Sequence, residues 1–198
     1  MKRIGIVFVF CSLVSTTLLW GNSLKIYLKA ELAQYLIAEA WAKTLLSGLE
    51  TKPWNWADTW PVARLQVPEF DEDLYVLAGS QGNSLAFAPG HVEGSAFPEE
   101  FGTMVIGGHR DTHFSFLKEL KTGSALYLQN KNGDWQYYLV SDKHIVDSRE
   151  GPWIIDPNLE ELHLITCYPF EQLVPSSPLR YVVVANKAPL DYQASVAF

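Results

Sequence analysis

Residues 124–140, SALYLQNKNGDWQYYLV, decide the class of fold. Two runs of largely alternating apolar and polar residues, 124–129 and 134–140, flank Lys131-Asn132-Gly133-Asp134. Alternation with a period of two suits a strand with one buried face, and Asn-Gly favours the positive φ of a hairpin turn. Outward from this hairpin, further short strands are predicted at 62–67 (VARLQV), 73–77 (DLYVL), 84–88, 102–108 (GTMVIGG), 144–147, 161–166 (ELHLIT) and 180–185 (RYVVVA). His113 to Leu120 (HFSFLKEL) reads as one short helical turn. Strands at this spacing, with turn residues between them, predict an all-β sandwich or barrel.

Ahead of the strands the pattern changes. Residues 24–47 predict a helix, with Leu24, Leu28, Leu32, Leu36 and Ala40 on one stripe and Gly48 as its stop. Residues 51–61 carry Trp54, Trp56 and Trp60, a linker or wrapped arm expected to pack on the domain rather than hold sugar or lipid head groups. Residues 4–21 are uncharged and follow Lys2 and Arg3. Eighteen helical residues rise about 27 Å, close to the hydrocarbon thickness of a bilayer. Trp20 suits the far interface, and the two cations place the N-terminus in the cytoplasm. With no small-x-small cleavage site after the run, an uncleaved signal anchor is preferred over a signal peptide. The expected plan is an anchor at 1–21, a helical stalk and Trp-rich arm at 22–60, a catalytic domain at 61–190 and a tail at 191–198.

Composition narrows the function. The chain of 198 residues is 48% hydrophobic and 19% charged, which excludes a disordered tail protein. A net charge of −7 with no basic run leaves no electrostatic footprint for nucleic acid. Two cysteines exclude a disulfide scaffold and a multi-cysteine zinc site. Cys11 falls in the apolar run, so Cys167 is the one thiol of the exported part, either a buried core cysteine or a functional group.

Two places concentrate chemistry. In Gly107-Gly108-His109-Arg110-Asp111-Thr112-His113 an apolar strand ends in two glycines and delivers a titratable imidazole. In Leu164-Ile165-Thr166-Cys167-Tyr168-Pro169-Phe170 a second strand delivers the thiol, and Pro169 stops the ladder. Arg180 opens the next apolar strand. Thiol, imidazole and guanidinium suit acyl transfer: a thiolate nucleophile, an acid/base for the leaving and incoming amines, and a cation for the developing oxyanion.

The local strings are more specific than the trio. Pro89-Gly90-His91, Gly94, Ala96, Pro98-Glu99, Gly102 and Val105 through Asp111 resemble the catalytic-histidine region of sortases, and Leu164 through Phe170 resembles their Thr-Leu-x-Thr-Cys signature. Arg180 stands where the sortase arginine follows the cysteine. The resemblance covers about residues 62–187 and implies a closed eight-stranded β-barrel with short helices, preceded here by the membrane helix and the amphipathic helix. It implies a membrane-anchored cysteine transpeptidase that cleaves an LPxTG-like C-terminal sorting signal through a thioacyl enzyme and passes the acyl group to an amine. By the same resemblance Cys167 is the nucleophile, His109 the acid/base and Arg180 the substrate and oxyanion stabiliser. No cofactor is implied, and no acidic site for an activating calcium ion is seen. The protein partners implied are a substrate carrying the sorting signal and an amine acceptor. The single anchor and short domain look most like the proteobacterial class GN sortases, with the domain on the periplasmic side of the inner membrane. Two departures fall outside the trio: His163 replaces the first signature Thr, and Glu99-Glu100-Phe101-Gly102-Thr103 replaces the usual approach to the histidine strand.

Three more residues are candidates for substrate binding. Thr166 is either a strand residue or, as its place before the nucleophile favours, a hydroxyl offered to substrate, Asp111 either fixes the turn or orients His109, and His91 lines the cleft or lies on a surface loop. His109 and His113 are four apart, but a strand-to-turn break keeps them off a common helix face, so no metal site is predicted. His144 and His163 read as strand histidines. Glu171 to Pro178 is a loop that either covers substrate or simply connects two strands. The alternatives in function are a thiol hydrolase of similar substrates and a non-catalytic, membrane-anchored binding module of the cell envelope.

Overall fold

The structure, a computed structural model, describes residues 2–82, 84–150, 156–171 and 177–189, and most side chains before residue 24 lie outside the described set. The predicted tail at 191–198 and most of the loop between Glu171 and Pro178 lie outside the described residues. The chain divides into two compact units, Met1–Leu36 and Ile37–Phe198.

A long helix, α1 (Lys2–Ser47), runs through the predicted anchor and the predicted amphipathic helix without a break. Among the described residues no helix is long and apolar enough to cross a membrane; the side chains of the predicted span at 4–21 are mostly outside that set. The expected stripe is buried only at its end, at Ala40. Leu24, Leu28 and Leu32 are exposed, whereas Ile37, Ala40, Trp41 and Thr44 are buried. These four recur at helical spacing, and Ile37 packs with Leu77 and Ala88, so the partner surface rather than the longest apolar repeat selects the face.

The second unit is built around eight strands among the described residues: β1 (Pro61–Val67), β2 (Glu72–Ala78), β3 (Gly90–His91), β4 (Met104–Gly107), β5 (Ala125–Gln129), β6 (Trp135–Asp147), β7 (Glu161–Cys167) and β8 (Leu179–Lys187). They close into a barrel in the order β1-β2-β3-β4-β7-β8-β6-β5. Closure removes the exposed edges that would otherwise invite pairing with another chain. Alternate residues face inward. Leu65, Val76, Ile106, Leu126, Leu128, Val140, Leu162, Leu164, Val183 and Ala185 form one core cluster with the fully buried Phe114 and Leu117.

The founding hairpin forms as β5 and β6, paired from Ala125↔Leu139 to Gln129↔Trp135. Its turn is organised by Asn130, whose Oδ1 accepts from the N–H groups of Asn132 and Asp134 at 3.0 Å each, while Gly133 takes φ 89°. The runs at 134–140 and 144–147 are one strand, not two. β6 pairs with β8 along its whole second half across a bulge at Val140/Asp142, and the bulge keeps the polar interruption within the ladder.

The strand expected at 84–88 is a 3-10 turn, Ser84–Ala86. Ser84 Oγ donates to the carbonyls of Gly79 (3.1 Å) and Gln81 (2.7 Å), and Phe87 N–H donates back to Ser84 O at 3.0 Å. These local bonds replace a ladder, and Ala88 and Phe87 bury against Leu77 and Trp54. The two-residue β3 was not foreseen. It fits only because Gly90 lacks a side chain: a Cβ there would lie 2.1 Å from Gly79 O. In the Trp-rich arm, Trp54 packs edge-on against Phe87 at 5.3 Å and Trp60 packs on the main core, as expected, but Trp56 is 85% exposed.

Candidate active site

The end of β4 is pinned to the end of β7. The two strands are parallel, with Gly107 level with Ile165. Gly108 N–H donates to Ile165 O at 3.1 Å, and Thr166 Oγ1 donates to Gly108 O at 2.7 Å. Gly108 must be glycine because a Cβ would approach the Phe114 ring to 2.7 Å. Phe114 is fully buried and its N–H donates to His109 O at 3.0 Å, closing the turn that leaves His109 at the surface. His109 therefore follows directly on a residue bonded to β7 at Ile165 and Thr166, just ahead of Cys167.

Cys167 is the last residue of β7, half-buried and a free thiol. It lies directly opposite Arg180 in the antiparallel β7–β8 ladder. Opposed residues share a face, with Cβ atoms roughly 4.5–5.5 Å apart. The inward positions of β7 are Leu162 and Leu164, so Cys167 and Arg180 project from the outer face. Arg180 Nη1 donates to Ser177 O (2.8 Å) and Leu179 O (2.9 Å), which holds the guanidinium at the strand start. The ladder survives one step past the thiol, through Tyr168 N–H to Leu179 O at 3.0 Å, before Pro169. The outer ends of β4, β7 and β8 thus bring the predicted trio to one end of one sheet.

The other candidates fall elsewhere. Thr166 is 2% exposed, and its hydroxyl is engaged with Gly108 rather than turned outward with Cys167. Asp111 is exposed and accepts from Arg110 Nε at 3.4 Å. His91 is buried: its Nε2 lies 3.1 Å from Ala96 O and 3.0 Å from Ser95 Oγ, and its ring stacks on Phe97 at 4.4 Å. It lines a cavity of about 430 Å³ together with Trp60, Ala78, Ser84 and Glu93, and none of the trio lines that cavity. His163 is buried on β7 with Nε2 2.8 Å from Glu161 Oε2, and its burial outweighs that partner and lowers its pKa.

Two features near the trio were not anticipated from the sequence. His113 has its pKa pushed down, first by burial and then by the neighbouring His109, against a hydrogen bond to the Phe87 backbone that favours its charged form. Tyr168, Phe170 and Tyr181 form an aromatic cluster beside Cys167, with Phe170 and Tyr181 at 5.2 Å and Tyr168 and Tyr181 at 6.2 Å. Tyr168 and Phe170 lie in the string that carries Cys167, and the pairing Thr166↔Tyr181 brings the distant Tyr181 to them. Among the described residues no group of three or more His, Cys, Asp or Glu side chains could hold a metal ion.

Comparison with known proteins follows this geometry. A family model described as a sortase domain matches residues 65–188. Sortase D of Bacillus subtilis (strain 168) is 36% identical over 124 residues, which make up 62% of this chain and 62% of that protein. The chain therefore spans less than two thirds of the length of this relative. Sortase A from Corynebacterium diphtheriae has a similar structure, with a TM-score of 0.58 and 28% identity over 69% of this chain and 64% of that one. A Clostridium perfringens sortase D5 transpeptidase, 20% identical, shares the fold with a TM-score of 0.58 over 77% of this chain and 89% of that one.

Proposed function

The chain belongs to the sortase family, and from that premise we propose that it is a cysteine transpeptidase acting on proteins that carry a sorting signal. The observation that carries the reading is the register of the site. Cys167 faces Arg180 across one ladder, and the bonds from Gly108 to Ile165 and Thr166 hold the residue before His109 to the same strand end.

The chemistry follows from these roles. Cys167 Sγ, as thiolate, attacks the carbonyl carbon of the scissile bond in an LPxTG-like motif. The Arg180 guanidinium stabilises the oxyanion, and His109 gives its proton to the leaving amine as the C–N bond breaks. The thioacyl enzyme then meets an acceptor amine. A new C–N bond forms, His109 takes the surplus proton, and the sulfur leaves as thiolate. A half-buried thiol is open to a substrate carbonyl while its fixed neighbours need no reorganisation.

The reading extends to location. Residues 4–21 anchor the chain as a signal anchor, and the barrel works on the extracytoplasmic side. The charge pattern of Lys2, Arg3 and the uncharged run supports this.

Mass spectrometry of the purified protein mixed with candidate sorting peptides tests the activity. The expected result is an acyl increment on Cys167 that an added amine converts to an amide product. Increments that only ever decay to free acid, even at high amine, would make it a hydrolase. No increment with any sorting peptide would remove the reading.

A further inference from the structure

We propose that Arg110 is a positioning residue that fixes His109 beside Cys167 by tying the segment after β4 to the segment after β7. The inference rests on the catalytic reading above. Arg110 Nη1 donates to Pro169 O at 2.6 Å, joining residues 59 positions apart. One partner follows His109 directly and the other lies two residues beyond Cys167. On the other side of His109, Gly108 is bonded to Ile165 and Thr166. His109 is thus bracketed: the residue before it is bonded to β7 just ahead of Cys167, and the residue after it is bonded to the chain just past Cys167. The Phe114 N–H bond to His109 O closes the turn and the buried Phe114 ring holds its far end; the Arg110 tie is the bond that fixes its outer part directly against the segment after Cys167.

Burial argues that this tie is not there for stability. Arg110 is 7% exposed, and its carboxylate neighbour Asp111 is 69% exposed at 3.4 Å. Withdrawing a charge from water is costly until its partners offset it, and an apolar side chain of similar volume commonly serves stability as well or better. What the guanidinium adds is a directional, charge-assisted donor to a carbonyl. A misplacement near 1 Å costs about 10²-fold in rate. The alignment of imidazole and thiol is therefore where this bond has its effect.

The test compares wild type, His109→Ala, Arg110→Met and Arg110→Lys as full chains, each checked for a cooperative thermal melt. Arg110→Gln replaces the Met variant if that one fails to melt cooperatively. The first readout is peptide cleavage. Arg110→Met should lose about 10²-fold in kcat with KM within about twofold, and Arg110→Lys should recover part of the loss. The second readout needs no sorting substrate: the rate of Cys167 alkylation by iodoacetamide against pH. Where imidazole and thiol interact, His109→Ala changes this profile, and Arg110→Met should follow His109→Ala although its imidazole is present. A profile and kcat for Arg110→Met like those of wild type, while His109→Ala differs, would overturn the inference and leave the catalytic reading standing. Identical profiles for wild type and His109→Ala would overturn both. Absence of any peptide adduct, with the alkylation profiles as expected, would sink the sorting reading and leave the Arg110 tie supported.

Discussion

In the proposed mechanism three side chains carry the chemistry: Cys167, His109 and Arg180. His109→Ala and Arg180→Ala should each cut turnover about 10²-fold or more with the melt preserved, since both groups project outward and contribute little to the core. Single-turnover acylation by a sorting peptide checks this, and near-normal rates in either folded variant would take that residue out of the mechanism. His113 makes a prediction about stability. Its folded pKa lies below the ordinary histidine value because of burial and the nearby His109. The unfolded chain therefore binds its proton more readily, so stability present above about pH 6.5 is lost as pH falls through the lowered folded value. Thermal melts from pH 7.5 to 5.5 should show a decline that His113→Gln reduces; an unchanged slope would discard this account. His163 shares the direction of shift, so part of the decline should remain.

At the level of elements, the strand ends do the positioning. Thr166 shows how. Read from the sequence as a hydroxyl offered to substrate, it is instead seen bonded to Gly108 O, because its place in β7 turns it to the face opposite Cys167. Thr166→Val keeps shape and loses the donor. It should cost about 1–3 kcal/mol, from the carbonyl left without this partner, and lower kcat by loosening His109. Denaturant melts and kinetics together check this, and full stability with full activity would leave the bond without consequence. The mistaken strand at 84–88 has a related cause. A short apolar run, the four residues Leu85–Ala88, suits a strand or a buried turn equally, and only the contacts of Ser84 with Gly79 and Gln81 decide between them.

For the molecule as a whole, the last turns of α1 belong to the unit Ile37–Phe198 and complete its burial. Trp41 is 2% exposed, and its indole N–H donates to Gln129 Oε1 at 3.2 Å. Trp41→Ala should cost about 3–5 kcal/mol in chemical denaturation. A loss below 1 kcal/mol would show that the helix end is not part of the cooperative unit. By contrast, a fragment beginning at Ile37 should melt close to the full chain.

The sequence by itself determined the local order of this protein. Period-two alternation, Asn-Gly at the hairpin, glycines at the end of β4 and proline after Cys167 are consequences of backbone sterics and side-chain direction, which each short stretch carries alone. The strings around His109, Cys167 and Arg180 likewise carried the resemblance to the sortase family, whose domain model matches residues 65–188. Tertiary structure alone decided which distant residues became neighbours: the register that sets Cys167 against Arg180, the closure of β5 on β1, the burial of His91 away from the trio, and the reach of Arg110 to Pro169. Those outcomes depend on which faces remain to be covered once the barrel shuts, a condition on the whole chain that no local stretch contains.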